Sequence, residues 1–91
     1  MNIKEIMKYF VYMLENAKGR HYVGITTEPE RRLIEHNKGS TKSTSPFSPW
    51  KMIYTEEFNS RADACKREWH LKNAKGRKEK LDIIKKHGEV A

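Results

Sequence analysis

Four side chains that can bind an anion or exchange a proton recur at regular intervals in the first part of the chain. Tyr12 and Tyr22 each lie in a short apolar run, Arg32 follows ten residues after Tyr22, and His36 stands one helical turn beyond Arg32. A guanidinium has a planar pair of donors that matches a phosphate, and it keeps its charge at any working pH. The spacing predicts one small shared site, although strand tyrosines also pack sheets and an i, i+4 Arg–His pair also suits a solvent-facing helix.

The two tyrosines are expected on the two strands of one hairpin. Residues 8–15 form an almost continuous apolar run, which predicts a strand that is buried on both faces. Residues 16–19 contain Asn and Gly and predict a turn, and residues 20–26 predict the returning strand.

A helix is expected directly after the hairpin and carries Arg32 and His36. We predict that it covers residues 28–38, with Thr27 as its N-cap and Glu30 completing a capping box. Gly39 suits its C-terminal end. Residues 39–49 are rich in Ser, Thr and Pro and predict a flexible, irregular surface loop.

The second half of the chain predicts one more strand and two helices. The strand covers residues 50–58, a helix capped by Ser60 and Asp63 runs to Lys72, and a last helix covers residues 77–86. The expected inward-facing residues of these helices are Ala62, Cys65 and Trp69 with Ala64 and Leu71 beside them, then Leu81 and Ile84 before a stop at Gly88.

These elements predict an α+β fold in the order β-β-α-β-α-α, with a small three-stranded, mainly antiparallel sheet flanked by helices. A length of 91 residues suits one domain, expected over residues 8–88 after a polar extension at residues 1–7. The chain has one cysteine and no apolar run long enough for a bilayer or a signal peptide. We therefore expect a cytoplasmic protein.

Positive charge is concentrated near the C-terminus. The net charge is +7, and residues 66–86 contain nine Lys or Arg against three Asp or Glu. Such a cluster attracts a polyanion through counterion release, whereas a merely solvated helix surface is the alternative on charge alone. A membrane surface is disfavoured because the aromatic and leucine face of interfacial helices is missing. The candidate nucleic-acid-binding residues are Lys42, Lys66, Arg67, Lys72, Lys75, Arg77 and Lys78.

These residues together resemble the GIY-YIG nuclease family in its small standalone bacterial form. The two tripeptides that name the family correspond here to Phe10-Val11-Tyr12 and Tyr22-Val23-Gly24. Arg32, His36 and Glu68 stand where the family has its helix arginine, its His or Tyr, and its metal-binding glutamate. The chain departs from the pattern at Phe10, which replaces a glycine, at Ile25, where some members have Lys or Ser, and in lacking an aligned asparagine after Glu68.

The resemblance implies a DNA endonuclease that hydrolyses phosphodiester bonds with one Mg²⁺ or Mn²⁺ ion and weak sequence specificity. It implies that Tyr12, Tyr22, Arg32, His36 and Glu68 are catalytic, with Glu68 holding the metal. A phenol is a poor base at its usual pKa of about 10, so nearby cations must favour the phenolate if a tyrosine is the base. Tyr22 and His36 both remain candidates, and our hypothesis is that Tyr22 acts on the water while Tyr12 and His36 support it.

Two alternatives from other classes fit the sequence. A basic nucleic-acid-binding module on the same fold would explain the charge without any cleavage. A protein-interaction domain would show no salt-sensitive affinity for nucleic acid. DNA is favoured over RNA by the resemblance alone. A homodimer or larger complex is compatible with the sequence. Repair, mobile-element processing and defence all stay open as biological roles.

Overall fold

A computed structural model of the chain describes residues 7–89 and shows a three-stranded antiparallel sheet. Strand β1 (Tyr9–Asn16) lies in the centre, between β2 (His21–Thr26) and β3 (Trp50–Phe58). Its central position explains the apolar run, because both faces and both edges of β1 are covered. The predicted extension at residues 1–7 falls outside the described residues except for Met7.

Three helices complete the predicted order and confirm the α+β fold. They are α1 (Pro29–Asn37), α2 (Arg61–Lys72) and α3 (Arg77–His87), with short 3-10 turns at Ser45–Phe47 and Ala74–Gly76. Across residues 7–89, no helix combines the length and the apolar content that a bilayer crossing requires.

The two faces of the sheet bury two separate groups of side chains. Because side chains alternate along a strand, Tyr12 and Leu14 point to one face and Val11 and Met13 to the other. Tyr12 and Leu14 pack with Trp50, and the partly buried Leu33 of α1 covers them. The second face holds the larger core and packs against α2 and α3; its buried members are Val11, Met13, Val23, Ala64, Leu71 and Ile83.

The predicted helix boundaries are correct to within one or two residues, but one predicted cap is wrong. Thr27 does not cap α1, because the helix begins one residue later, at Pro29, and Glu28 occupies the cap position without a side-chain hydrogen bond. The Thr26 hydroxyl instead accepts a hydrogen bond from the Glu28 amide at 3.1 Å. The Ser60 cap is confirmed by its 3.1 Å hydrogen bond from the Asp63 amide. Gly39 ends α1 as predicted, with a φ of 84° that favours glycine.

The predicted inward faces of α2 and α3 are partly wrong. Trp69 is 60% exposed, Leu81 is 50% exposed, and Ala62 is also exposed. The buried positions of α2 are Ala64 and Leu71, seven residues apart, so the helix presents an adjacent stripe of its surface to the sheet. Ile83 takes the place predicted for Leu81.

Candidate active site

The hairpin brings the two tyrosine rings to the same face of the sheet. Tyr12 pairs with Gly24, and Leu14 pairs with Tyr22, so Tyr12 and Tyr22 are diagonal neighbours on adjacent strands. Their ring centroids lie 6.2 Å apart at an interplanar angle of 41°. Diagonal neighbours at this separation are within reach for aromatic side chains.

Gly24 makes room for the ring of Tyr12. A Cβ atom at this position would lie 2.5 Å from the Tyr12 hydroxyl oxygen. Tyr12 is only 1% exposed and is held by the contacts described below, so its ring has no free space into which to move. The Tyr22-Val23-Gly24 segment of β2 therefore provides the second tyrosine and also the space that the Tyr12 ring occupies.

Helix α1 places His36 and Arg32 against these rings. His36 is fully buried, its Nε2 lies 2.7 Å from the Tyr12 hydroxyl oxygen, and its ring centroid lies 4.9 Å from that of Tyr22. The Arg32 guanidinium donates a hydrogen bond to Glu35 at 2.9 Å, and its positive charge acts on the nearby Tyr12 hydroxyl by lowering its pKa. The i, i+4 spacing of Arg32 and His36 therefore places both groups near Tyr12.

Burial determines the protonation states of Tyr12 and His36. Burial raises the pKa of Tyr12 to about 12, against an opposing effect of the Arg32 hydrogen bond, with smaller increases from Tyr22 and Glu68. Burial, and then the positive charge of Arg32, lower the pKa of His36. The Glu35 hydrogen bond, followed by that of Tyr12, raises the pKa of Arg32. At neutral pH the site therefore contains a neutral phenol, a neutral imidazole and a charged guanidinium.

Helix α2 supplies the acidic member of the group. The negative charge of Glu68 contributes to the raised pKa of Tyr12. The partly buried carboxylate of Glu68 accepts a hydrogen bond from the Lys72 ammonium at 3.2 Å. The same Lys72 nitrogen lies 5.5 Å from the centroid of the Tyr22 ring. The structure thus brings all five predicted site residues together and adds Lys72 between Glu68 and Tyr22.

The donor set suits a divalent ion that is held by one carboxylate. Residues 7–89 contain no group of three His, Cys, Asp or Glu side chains arranged for a metal, so the fold offers no all-protein cage. Mg²⁺ is commonly held by one or two carboxylates and completes its coordination with water and phosphate oxygens. Glu68 can provide that carboxylate if the Lys72 ammonium gives up its position.

Sequence reasoning missed Thr44, which lies in the loop predicted over residues 39–49. Thr44 is 1% exposed, and its Oγ1 lies 2.8 Å from Nδ1 of His36. Its carbonyl accepts a hydrogen bond from the Trp50 indole at 2.9 Å. The Ser, Thr and Pro content of this loop indicates an exposed segment, and only the need of a buried Trp50 indole for an acceptor hints at a fixed position.

The predicted nucleic-acid-binding residues fall into two groups. Arg67 is committed to structural contacts, because it pairs with Glu56 at 3.1 Å and with Glu79 and thereby ties α2 to β3 and α3. Lys72 holds Glu68. The remaining members are exposed and, within residues 7–89, have no such role: Lys42, Lys66, Lys75, Arg77 and Lys78.

An open pocket of about 280 Å³ lies at the junction of α2 and α3. Three cationic side chains line it, and one of them, Lys80, was not among the predicted residues. Lys80 follows Arg77 by three positions on α3, which places the two on one side of the helix. The lining residues are Leu71, Lys72, Asn73, Ala74, Arg77 and Lys80.

Sequence comparisons with known proteins agree with one another. Residues 8–82 match the GIY-YIG catalytic domain. The UPF0213 protein SAG0778 of Streptococcus agalactiae is 42% identical over 79 residues, which cover 86% of this chain and 89% of that protein. The UPF0213 protein YsiG of Lactococcus lactis is 38% identical over 79 residues, covering 86% of this chain and 76% of that protein.

Solved structures show the same architecture. The solution NMR structure of EF2693 from E. faecalis has a TM-score of 0.57 and 34% identity, and covers 92% of this chain and 91% of its own. That of the UPF0213 protein BH0048 from Bacillus halodurans has a TM-score of 0.55 and 32% identity, with coverages of 90% and 88%. The chain therefore belongs to the GIY-YIG nuclease family, and its relatives are small UPF0213 proteins.

Proposed function

We propose that this protein is a divalent-metal-dependent endonuclease that hydrolyses phosphodiester bonds in DNA with weak intrinsic sequence specificity. The observation that carries the proposal is that Glu68 and its partner Lys72 from α2 lie beside the Tyr22 ring of β2, which also packs near Tyr12 of β1 and against His36 of α1. These elements are distant in sequence, and ordinary core packing does not require their polar groups to converge. The site contains the groups that phosphodiester hydrolysis requires.

Arg32 is the proposed phosphate-binding residue. Its guanidinium is about one third exposed and is oriented by its ion pair with Glu35. A guanidinium held in this way can present its remaining donors to phosphoryl oxygens and stabilise the charge that develops on them.

Glu68 is the proposed ligand of one Mg²⁺ or Mn²⁺ ion. When bound, the ion supplies charge stabilisation on a phosphoryl oxygen and lowers the pKa of a coordinated water. In the free protein the Lys72 ammonium lies on this carboxylate. Lys72 is exposed enough to swing away toward a phosphate, so the proposal requires no rearrangement of the backbone.

Tyr22 is the proposed residue that orients or deprotonates the attacking water. Its side chain is partly exposed, whereas Tyr12 and His36 are buried and bonded to each other. Both ring nitrogens of His36 are occupied, one by Tyr12 and the other by Thr44. The choice between Tyr22 and His36 that the sequence leaves open therefore favours Tyr22 on access to solvent.

The same fold could instead bind nucleic acid without cutting it. The Lys72–Glu68 contact favours this alternative, because an internal cation already neutralises the proposed metal ligand. Cleavage measurements with and without metal, and with matched variants, distinguish the two functions.

Changing Arg32 to Lys is expected to slow the nicking of supercoiled plasmid by about 10² to 10³-fold, by comparison with the loss of one oxyanion donor in other enzymes. Lys keeps the positive charge but loses the planar pair of donors. The nicking rate would be measured with Mg²⁺ or Mn²⁺ for the wild type and the variant, and again after chelation by EDTA.

Arg31 provides the matched control on the same helix. It is exposed and pairs with Glu28 and Glu35, so Arg31→Lys should leave the nicking rate unchanged. Equal rates for all three proteins would contradict the role of Arg32. If plasmid is bound but remains intact with every protein and both metals, the non-catalytic module is the better description.

Removing both Arg77 and Lys80 is expected to weaken DNA binding and to reduce its salt dependence. Each lost phosphate contact lowers the slope of log K against log salt by about 0.9, so the double change to Met should reduce the slope by roughly 2. Binding would be measured by fluorescence anisotropy of a labelled duplex over a range of salt concentrations without metal, which prevents cleavage.

The double change of Lys85 and Lys86 to Met is the matched control for charge. It removes the same charge from the exposed C-terminal turn of α3, away from the pocket, and should alter the slope less. Equal slopes for the two double variants would show that net charge, and not the pocket, governs binding. A flat salt dependence in the wild type would instead favour a protein-interaction domain.

A further inference from the structure

A chain of three hydrogen bonds runs through the buried part of the site. It begins at the Tyr12 hydroxyl, passes through both nitrogens of His36, and reaches the Thr44 hydroxyl. From there the Thr44 Oγ1 contacts the backbone carbonyl of Thr41 at 3.4 Å. Its side-chain members Tyr12, His36 and Thr44 are each no more than 1% exposed, so solvent does not complete their hydrogen bonds.

The chemistry at the Thr41 end gives this chain a direction. A backbone carbonyl can only accept. The Thr44 hydroxyl therefore donates to the carbonyl of Thr41.

The other protons in this chain of hydrogen bonds follow the same direction. The Thr44 oxygen, whose own proton goes to the Thr41 carbonyl, is left to accept a hydrogen bond from Nδ1 of His36. Nε2 of the neutral imidazole is then the acceptor, and the Tyr12 hydroxyl donates to it. The lowered pKa of His36 fits this arrangement, because a neutral imidazole has one donor and one acceptor nitrogen.

We infer that Thr44 is a positioning residue that fixes His36 as the Nδ1–H tautomer and thereby makes Tyr12 donate to His36, so that the oxygen lone pairs of Tyr12 are available to the nearby Arg32 guanidinium. The opposite tautomer would donate from Nε2 to Tyr12, and the phenol would then need another acceptor for its own proton in the vicinity of the cationic Arg32. Thr44 thus acts on the surroundings of the phosphate-binding guanidinium through two intermediate side chains.

The backbone around Thr44 holds the hydroxyl in place. The Thr44 carbonyl accepts hydrogen bonds from the Phe47 amide at 3.0 Å and from the Trp50 indole at 2.9 Å. The Trp50 amide in turn donates a hydrogen bond to the side-chain oxygen of Asn37, at the end of α1, at 2.6 Å. The loop is therefore tied to α1 and β3 at the point where it meets His36.

Nitrogen-15 NMR of the histidine side chains in the intact protein tests the inference directly. The wild type should show His36 with a protonated Nδ1 and an unprotonated Nε2 near neutral pH. His21, His70 and His87, which are all more exposed, serve as internal references. Finding His36 as the Nε2–H tautomer in the wild type would overturn the inference whatever the variants do.

Thr44→Val keeps the size of the side chain and removes its hydroxyl, whereas Thr44→Ser keeps the hydroxyl. We expect Thr44→Val to lose the fixed Nδ1–H tautomer and Thr44→Ser to retain it. On the proposed nuclease function, nicking should fall roughly 10- to 100-fold in Thr44→Val, as for outer-shell partners of other catalytic groups, and recover in Thr44→Ser. The rate part rests on the proposed function, while the tautomer part is measured without any substrate.

Ser48→Ala is the control within the same loop. Its hydroxyl donates to the Ser45 carbonyl at 3.1 Å and does not touch His36, so its removal should change neither the tautomer nor the rate. An unchanged tautomer in Thr44→Val would overturn the inference, and a rate loss that Thr44→Ser does not restore would assign Thr44 a packing role. A wild type that cuts no DNA but shows the expected tautomers would refute the proposed function alone.

Discussion

Changing Glu68 to Gln is expected to abolish divalent-metal binding and to lower plasmid nicking by about 10³-fold or more. The amide has nearly the same shape as the carboxylate but has no charge, and hard cations depend on carboxylate charge. A metal ion contributes several kcal/mol to such reactions, and about 1.4 kcal/mol corresponds to a tenfold change in rate. Mn²⁺ binding would be followed by titration calorimetry and by electron paramagnetic resonance, alongside the nicking assay.

Lys72→Met is the matched control for this prediction. It breaks the same Glu68–Lys72 ion pair but leaves the carboxylate in place, so Mn²⁺ binding should persist or tighten. A loss of binding in Glu68→Gln with retention in Lys72→Met would assign the metal to Glu68. Unchanged Mn²⁺ affinity and nicking in Glu68→Gln would refute both the metal site and the single-carboxylate mechanism.

The strands and the hairpin could be predicted because their determinants are local. The apolar run over residues 8–15, the turn that follows it and the alternation in β2 each reflect neighbouring residues; β1 (Tyr9–Asn16) ends one residue later than predicted, and β3 has the predicted bounds of Trp50–Phe58. The α+β class followed from the order of these elements. The predicted cap of α1 was wrong because the Thr26 hydroxyl accepts a hydrogen bond from the Glu28 amide just before the helix, so the helix begins at Pro29 and Glu28, not Thr27, occupies the cap position.

The faces of the later helices depend on contacts that the sequence alone does not specify. Helix α2 has apolar residues on two adjacent stripes, and the stripe with Ala64 and Leu71 faces the sheet. Small and medium side chains allow the helix to approach β1 closely, whereas the larger Trp69 of the other stripe remains exposed. The residue pattern of one helix does not specify how closely that helix packs against the sheet.

The residues of the candidate site could be predicted from the sequence, but the burial of each side chain could not. Spacing and resemblance indicated the five polar groups, but not that Tyr12 and His36 would be buried and Tyr22 partly exposed. Thr44 was missed because loop composition describes average exposure, while its burial results from hydrogen bonds to His36 and Trp50. These long-range contacts separate a buried part of the site, with Tyr12, His36 and Thr44, from a partly exposed part that contains Tyr22.

The second large expected effect concerns the partly exposed Tyr22. We expect Tyr22→Phe to lower plasmid nicking by about 10² to 10⁴-fold, the range for loss of a general acid or base. The ring that contacts His36 and Lys72 is retained, so only the hydroxyl is removed. We therefore expect DNA affinity and the melting temperature to stay close to the wild type. Single-turnover nicking, anisotropy and thermal unfolding would be measured on the same preparation.

Tyr12→Phe is the informative comparison, because it removes a hydroxyl that is buried and hydrogen-bonded. It leaves Nε2 of His36 without a partner and should reduce the free energy of unfolding by about 1–3 kcal/mol, in addition to any loss of activity. Tyr9→Phe, on the opposite face of the sheet, should change neither property. A Tyr22→Phe protein that nicks at the wild-type rate would exclude Tyr22 as the base. Because His36 has both nitrogens occupied and no exposed surface, the activation of water would then have to be assigned to the metal-bound water itself, with Glu68 and Arg32 as the minimal catalytic pair.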